Sequence, residues 1–429
     1  MTRTGGSRTL DLTVKYLTLL IGLLCCLPTG GLRASERSGQ TGDFIEVDRE
    51  PQVQLETLAG DVREVPLAEF RVEDARQLDV VFVRYRGLPE PAPLATDPED
   101  QVEVLSTEHG DVLMGALRSG DGDRIELEIV GGALVTLSIE DVAGLIFRQR
   151  LPFDGDVAVV AAVEGDRLFR RRGAGVDRID GLFQSFESDG VRFEGGLGER
   201  LYPWSEVAAL FIEDLEGDAE PASDVGLPIV VDLRGQSRLH GRLLSMDGNG
   251  CHVATGGNPD LFLPAAAISE IAVDDGSYRF LSALTPSDLG PVSPTGDDLG
   301  MVWPPRMDRA RTGAALSAGG RTWARGIGVQ APSRIVWDLG SEWQTLRGQV
   351  AIDDSVLALP RRGSVVFRVL VDGEKRYESP IMRGGDPPLD LGRVDLTGAR
   401  ELVLEVDPST DLWMADRADW LRPILVRRP

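Results

Sequence analysis

A chain of 429 residues is long enough for roughly two to four domains. Its 69 Asp and Glu against 45 Lys and Arg leave a net charge of −24, a sign that repels phosphate backbones and excludes nucleic acid as the natural partner. The only histidines are His109, His240 and His252, and with Cys25, Cys26 and Cys251 they form no cluster at metal-ligand spacing, which excludes zinc chemistry.

Residues 1–34 read as an export signal. Arg3, Arg8 and Lys15 make a basic start, residues 16–27 are an apolar run short for a bilayer span, and Leu32-Arg33-Ala34 reads as a cleavage site, the alternative being a segment kept as an anchor. The expected location is periplasmic, cell-surface or secreted, with no membrane span in the mature chain. Cleavage would remove Arg3, Arg8, Lys15 and Arg33 against Asp11 alone, so the mature chain is more acidic still. It would also leave Cys251 without a disulfide partner, and within Gly250-Cys251-His252-Val253 this cysteine reads as a small buried hydrophobe.

Residues 35–100 form a polar N-terminal segment and linker. Val53-Gln54-Leu55-Glu56 and Val80-Val81-Phe82-Val83 are strand-like, in the manner of a degenerate first copy of the repeating unit downstream. Leu88-Pro89-Glu90-Pro91-Ala92-Pro93 opens a proline-rich acidic linker.

The middle of the chain repeats itself over residues 101–150, 157–214 and 228–275. Gly115-Ala116-Leu117-Arg118-Ser119 answers to Gly181-Leu182-Phe183-Gln184-Ser185 and to Gly241-Arg242-Leu243-Leu244-Ser245. An alternating strand comes after each, and each copy closes on a similar apolar run. From the glycine to Val142, Val207 or Ile268 the spacing is 27, 26 and 27 residues, a regularity that marks copies of one unit. Each copy predicts four or five short strands with a tight turn before the last, the pattern of a small SH3-like or Sm-like barrel. The repeated glycine predicts a bend or bulge in the second strand. RNA binding conflicts with the charge, so the copies read as spacers or protein contacts.

Residues 276–428 hold six of the seven tryptophans. Arg334-Ile335-Val336-Trp337-Asp338, Ser364-Val365-Val366-Phe367-Arg368-Val369-Leu370-Val371 and Glu401-Leu402-Val403-Leu404-Glu405-Val406 alternate with period two between turn residues. They predict an antiparallel β-sandwich, and the chain as a whole is expected to be all-β.

Several motifs in this stretch occur in the order of a known family. They are Trp323-Ala324-Arg325-Gly326-Ile327-Gly328-Val329, Trp337-Asp338-Leu339-Gly340, Gly348-Gln349-Val350-Ala351-Ile352-Asp353-Asp354, Val371-Asp372-Gly373 with Tyr377 and Ser379, and Asp416-Arg417-Ala418-Asp419-Trp420. Together they resemble the NPCBM family, the novel putative carbohydrate-binding module found beside glycoside hydrolases. The sequence departs from that pattern at Arg417, where the family has His, and at Ala351, where it has Gly. The resemblance implies a galactose-binding-like jelly roll, and a glycan ligand, often of galactose type. It covers about a third of the chain.

No Gly-x-Ser-x-Gly elbow, phosphate loop or His-Glu-x-x-His is present, so the chain is not expected to be an enzyme. A sugar site wants an aromatic platform and polar groups on loops held by a rigid sheet. Trp413 is the first choice for the platform, with Trp337 and Trp420 assigned to the core. Asp416, Arg417, Asp419, Asp353, Asp354 and Tyr377 are the candidate hydroxyl contacts. The Asp353-Asp354 pair also has the oxygen-rich character of a structural calcium site. Two functional readings remain open, an exported glycan-binding protein and a scaffold that contacts protein partners through its repeats.

Overall fold

The computed structural model describes residues 51–88, 91, 93–106, 111–151, 164–213, 225–255, 258–290, 303–409 and 415–427. The expected export signal and Trp413 lie outside them. Residues 49–429 form one compact unit, and among the described residues it contains a single α-helix, Val72–Gln77.

Each repeat consists of five strands with a 3-10 turn before the last. The first has Gln101–Ser106, Val112–Asp121, Arg124–Ile129, Leu134–Ser138, the turn Ile139–Asp141 and Val142–Ile146. The second runs from Asp166–Arg172 to the turn Trp204–Glu206 and Val207–Phe211, and the third from Leu227–Leu233 to Ala265–Ala267 and Ile268–Val273. In all three the first strand pairs with both the second and the last, as in Val104↔Leu113 with Val104↔Leu145, and in the corresponding pairings of the other two copies.

The long second strand changes register at the same place in every copy, between Leu117 and Ser119, Phe183 and Ser185, and Leu243 and Ser245. Two residues earlier stands the repeated glycine. A Cβ at Gly181 would lie 2.0 Å from the carbonyl oxygen of Glu194, and one at Gly115 or Gly241 would lie 2.6 Å from that of Glu128 or Ala254. Only glycine admits so close an approach, which is why the spacing survives while the neighbouring side chains vary.

Residues 52–86 are folded onto this array. Gln52–Thr57 pairs with Val62–Pro66 and with Val80–Arg86, the same first-to-second and first-to-last arrangement, and Val72–Gln77 stands where the middle strands would be. Last strands also pair across units. Leu210↔Leu145 joins the second copy to the first, and Ile271↔Val83 joins the third to the N-terminal strands.

The C-terminal third is a two-sheet sandwich. One sheet is built on Gly326–Gln330, Arg417–Arg427 and Trp343–Ile352, the other on Ser333–Asp338, Glu401–Pro408, Ser364–Val371 and Glu374–Glu378. Period-two runs turn one face of each strand inward, so Ile335, Trp337, Phe367, Val369, Leu404 and Trp420 fill the space between the sheets. Trp337 and Trp420 are core residues, as expected.

The sandwich packs against the third repeat and the N-terminal strands. Phe82, Val230 and Ala272 meet Tyr278, Phe280, Ile424 and Val426 in an apolar patch. Buried and half-buried ion pairs flank it. Asp232 holds Arg238 at 2.8 Å and Arg325 at 3.2 Å. Glu56 holds Arg347 at 3.1 Å and Arg422 at 2.9 Å.

Candidate functional site

Most of the residues singled out from sequence converge at one end of the sandwich. The strand Trp343–Ile352 leads into Asp353, whose carboxylate accepts from the Ser355 N–H at 3.0 Å and so caps the short turn Asp354–Val356. Its other oxygen accepts from the Ser317 N–H at 3.0 Å. Asp354 accepts from the Gly320 N–H at 2.8 Å. The two adjacent carboxylates thus hold the hairpin of Leu316–Ala318 and Arg321–Trp323 against the turn.

Asp416 is fully buried and accepts from the Ser364 N–H at 2.8 Å. Asp419, opposite Ala351 in the sheet, is 0% exposed and accepts from no N–H or O–H donor among the described residues. Burial, and then the neighbouring negative charge of Asp353, push its pKa well above the ordinary carboxylate value. Both causes favour the protonated form of Asp419 beside Asp353. Asp353, Asp416 and Asp419 are closed to solvent and brace the loops, which corrects the expectation that these three contact sugar hydroxyls. Among the described residues no group of three His, Cys, Asp or Glu is placed to hold a metal, so the calcium expectation for Asp353-Asp354 finds no ligand set there.

A raised folded-state pKa in a carboxylic acid means that the folded chain holds a proton the unfolded chain releases. Stability from Asp419 is complete below about pH 3.9 and is lost as pH rises from there through the folded-state value. Asp419→Asn keeps a donor facing Asp353 and removes the titration. Thermal melts from pH 4 to pH 9 should show the variant gaining on the parent as pH rises. Parallel curves would show that Asp419 does not titrate in this range.

The accessible side chains are of another kind. Arg417 is half-buried and donates to the Ser355 hydroxyl at 3.0 Å. Arg311 is half-buried, with its guanidinium 5.8 Å from the centre of the half-buried Trp303 ring. Burial, followed by repulsion from Arg306 and Arg417, lowers the Arg311 pKa. Three guanidinium groups and an indole therefore share this end of the module, beside Asp354. Tyr377 stands apart, on Glu374–Glu378 of the other sheet, packed against the core with its hydroxyl unpartnered among the described residues. Trp303, Arg306 and Arg311 were missed from sequence, although Trp303-Pro304-Pro305-Arg306-Met307-Asp308-Arg309-Ala310-Arg311 places an aromatic and three arginines in nine residues.

Comparison with known proteins finds matches in the C-terminal third. The family model for the NPCBM/NEW2 domain matches residues 284–426. A putative endo-alpha-N-acetylgalactosaminidase of Renibacterium salmoninarum is 36% identical over 94 residues, 22% of this chain and 6% of that protein. An alpha-1,3-galactosidase B of Akkermansia muciniphila is 36% identical over 119 residues, 27% of this chain and 14% of that protein. The matches thus span a small fraction of either relative. Among solved structures, a CBM51 from a Clostridium perfringens GH95 in complex with methyl-galactose is 21% identical, with a TM-score of 0.31, over 35% of this chain and 99% of that one. A structure of CBM51-2 with INT domains from Clostridium perfringens ZmpB, in complex with GlcNAc, is 27% identical, with a TM-score of 0.31, over 39% of this chain and 36% of that one. Residues 284–426 of this chain are an NPCBM/NEW2 domain, a non-catalytic carbohydrate-binding module.

Proposed function

We propose that this chain is an exported, non-catalytic glycan-binding protein whose ligand docks on the sandwich end formed by Trp303, Arg311, Asp354 and Arg417. The observation that carries the reading is a module of carbohydrate-binding type with accessible guanidiniums and an indole on a braced loop end. Guanidinium groups donate to ring hydroxyls, and an indole covers the apolar face of a pyranose. Trp413 belongs to the same proposal by its place in the sequence, two residues before Ala415. Galactose-type sugars come first, because both relatives bear names of enzymes acting on galactose or N-acetylgalactosamine linkages. Residues 1–34 supply the export route.

The test is a glycan-array screen of the chain from residue 35 onward, with and without calcium, beside Arg417→Ala and Trp413→Ala. Losing a charge-assisted hydrogen bond costs about 1.5–3 kcal/mol, so Arg417→Ala should weaken binding at least about tenfold. Binding that survives both changes moves the site elsewhere on the module. A folded chain that binds no glycan returns the scaffold reading. That reading draws on the second repeat, where Leu182, Leu197 and Leu201 are solvent-exposed.

A further inference from the structure

Beside the junction of sandwich and repeats lies a cleft of about 320 Å³, one wall of which is the far side of the hairpin that Asp353 and Asp354 hold. That volume falls in the range of small-molecule sites, about 300–1,000 Å³. Arg84 from the N-terminal strands and Arg321 and Arg422 from the sandwich line it, with Glu56 as the one acidic group and Gln54 and Gln349 as the amides. On a chain of net charge −24 such a concentration of guanidiniums is a local reversal of sign.

The arginines are held in place. The Arg422 guanidinium carbon is 4.4 Å from the centre of the Phe82 ring, and that of Arg321 is 3.5 Å from the centre of the Trp323 ring. Arg84 and Arg422 both pair with Glu270. Arg422 is 8% exposed, its Nε has no hydrogen-bond partner among the described residues, and its backbone sits in the left-handed region at φ 46. Strain of that kind in a non-glycine residue collects at ligand sites. Arg321 lines the cleft and pairs with no carboxylate among the described residues. Burial, and then Arg84 and Arg422, push its pKa down to about 10. The structural ion pairs consume Glu56 and Glu270 and leave a guanidinium over.

We propose that this cleft is a second ligand site, taking the anionic substituent of an acidic glycan, a sulfate ester or a carboxylate. Arg321 is the recognition residue, and Gln54 and Gln349 offer amides to neighbouring hydroxyls. Guanidinium forks match both anions in bidentate geometry. Positioned beside a carbohydrate module, the site would select charged chains among those the loop end admits.

The experiment is calorimetric titration of the chain from residue 35 onward with galactose 6-sulfate, galacturonate and neutral galactose, at low salt and in 0.5 M NaCl. The charged sugars should bind at least about tenfold more tightly than galactose, with the preference vanishing at high salt. Arg321→Gln should abolish the preference, and Arg321→Lys should keep part of it. Both variants leave the buried pairs of Glu56 and Glu270 intact, and their melting temperatures check this. Equal binding of charged and neutral sugars, or a preference unchanged in Arg321→Gln, would overturn the proposal. Inorganic sulfate competing as well as the sugar sulfate would overturn its glycan part. A preference lost in Arg417→Ala but kept in Arg321→Gln would place the anion at the loop end and overturn the second site. The proposal stands apart from the loop-end reading, since galactose binding tests that one and the charge preference tests this.

Discussion

Asp232→Ala should destabilise the chain by about 3–5 kcal/mol, the cost of breaking a buried ion pair from one side. Asp232 is 2% exposed and belongs to the third repeat, whereas Arg325, which it holds, is a buried residue of the sandwich. Removing the carboxylate leaves Arg238 and Arg325 to share Asp308, at 2.9 and 3.6 Å. One of two desolvated cations then goes largely uncompensated. Urea denaturation followed by tryptophan fluorescence reads the result, because six of the tryptophans are in the C-terminal third. Asp232→Asn, which still accepts one hydrogen bond, should lose less. A loss below about 1 kcal/mol, the level of a surface pair, would show that the junction is wet and the pair screened.

Trp420→Ala should cost a similar 3–5 kcal/mol, through lost burial and the cavity left behind. The ring is fully buried between the sheets and meets Phe367 edge to face, with centroids 5.1 Å apart at 87°. Its Nε1 finds no hydrogen-bond partner among the described residues. Trp420→Phe should therefore cost clearly less, since the smaller ring keeps much of the apolar contact and takes away an unsatisfied donor. Thermal melts of the two variants separate volume from polarity. Equal losses would mean that shape alone governs the position.

The core of the sandwich was legible in the sequence because period-two runs report which face is buried. Trp337 and Phe367 lie on inward positions of such runs. The repeats were legible because one glycine per copy meets a backbone carbonyl, a constraint no other residue satisfies. The short helix Val72–Gln77 was not, since six residues are too few for a 3.6-residue period to declare itself. In the Asp-Arg-Ala-Asp-Trp run, the sequence could not show that both aspartates are closed to solvent. Alternation hides every second residue of an extended strand, yet Asp416, Asp419 and their neighbours Ala418 and Trp420 are all buried there. The opposite sheet covers the face of Ala418 and Trp420, and the hairpin that Asp353 and Asp354 hold covers the other. The arginines at the junction could not be read from sequence at all. Arg84 meets Arg321 and Arg422 only when strands more than two hundred residues apart are packed.

The pairing of last strands across repeats sets a rule of parity. Val142–Ile146 and Val207–Phe211 complete one another's sheets, as do Val80–Arg86 and Ile268–Val273. Each of these strands then has a neighbour on both sides, one from its own unit and one from its mate. A single further copy would present a bare strand edge to solvent, an invitation to aggregate. An array built on this plan lengthens safely by couples, and the abbreviated N-terminal unit keeps the strands that its mate needs.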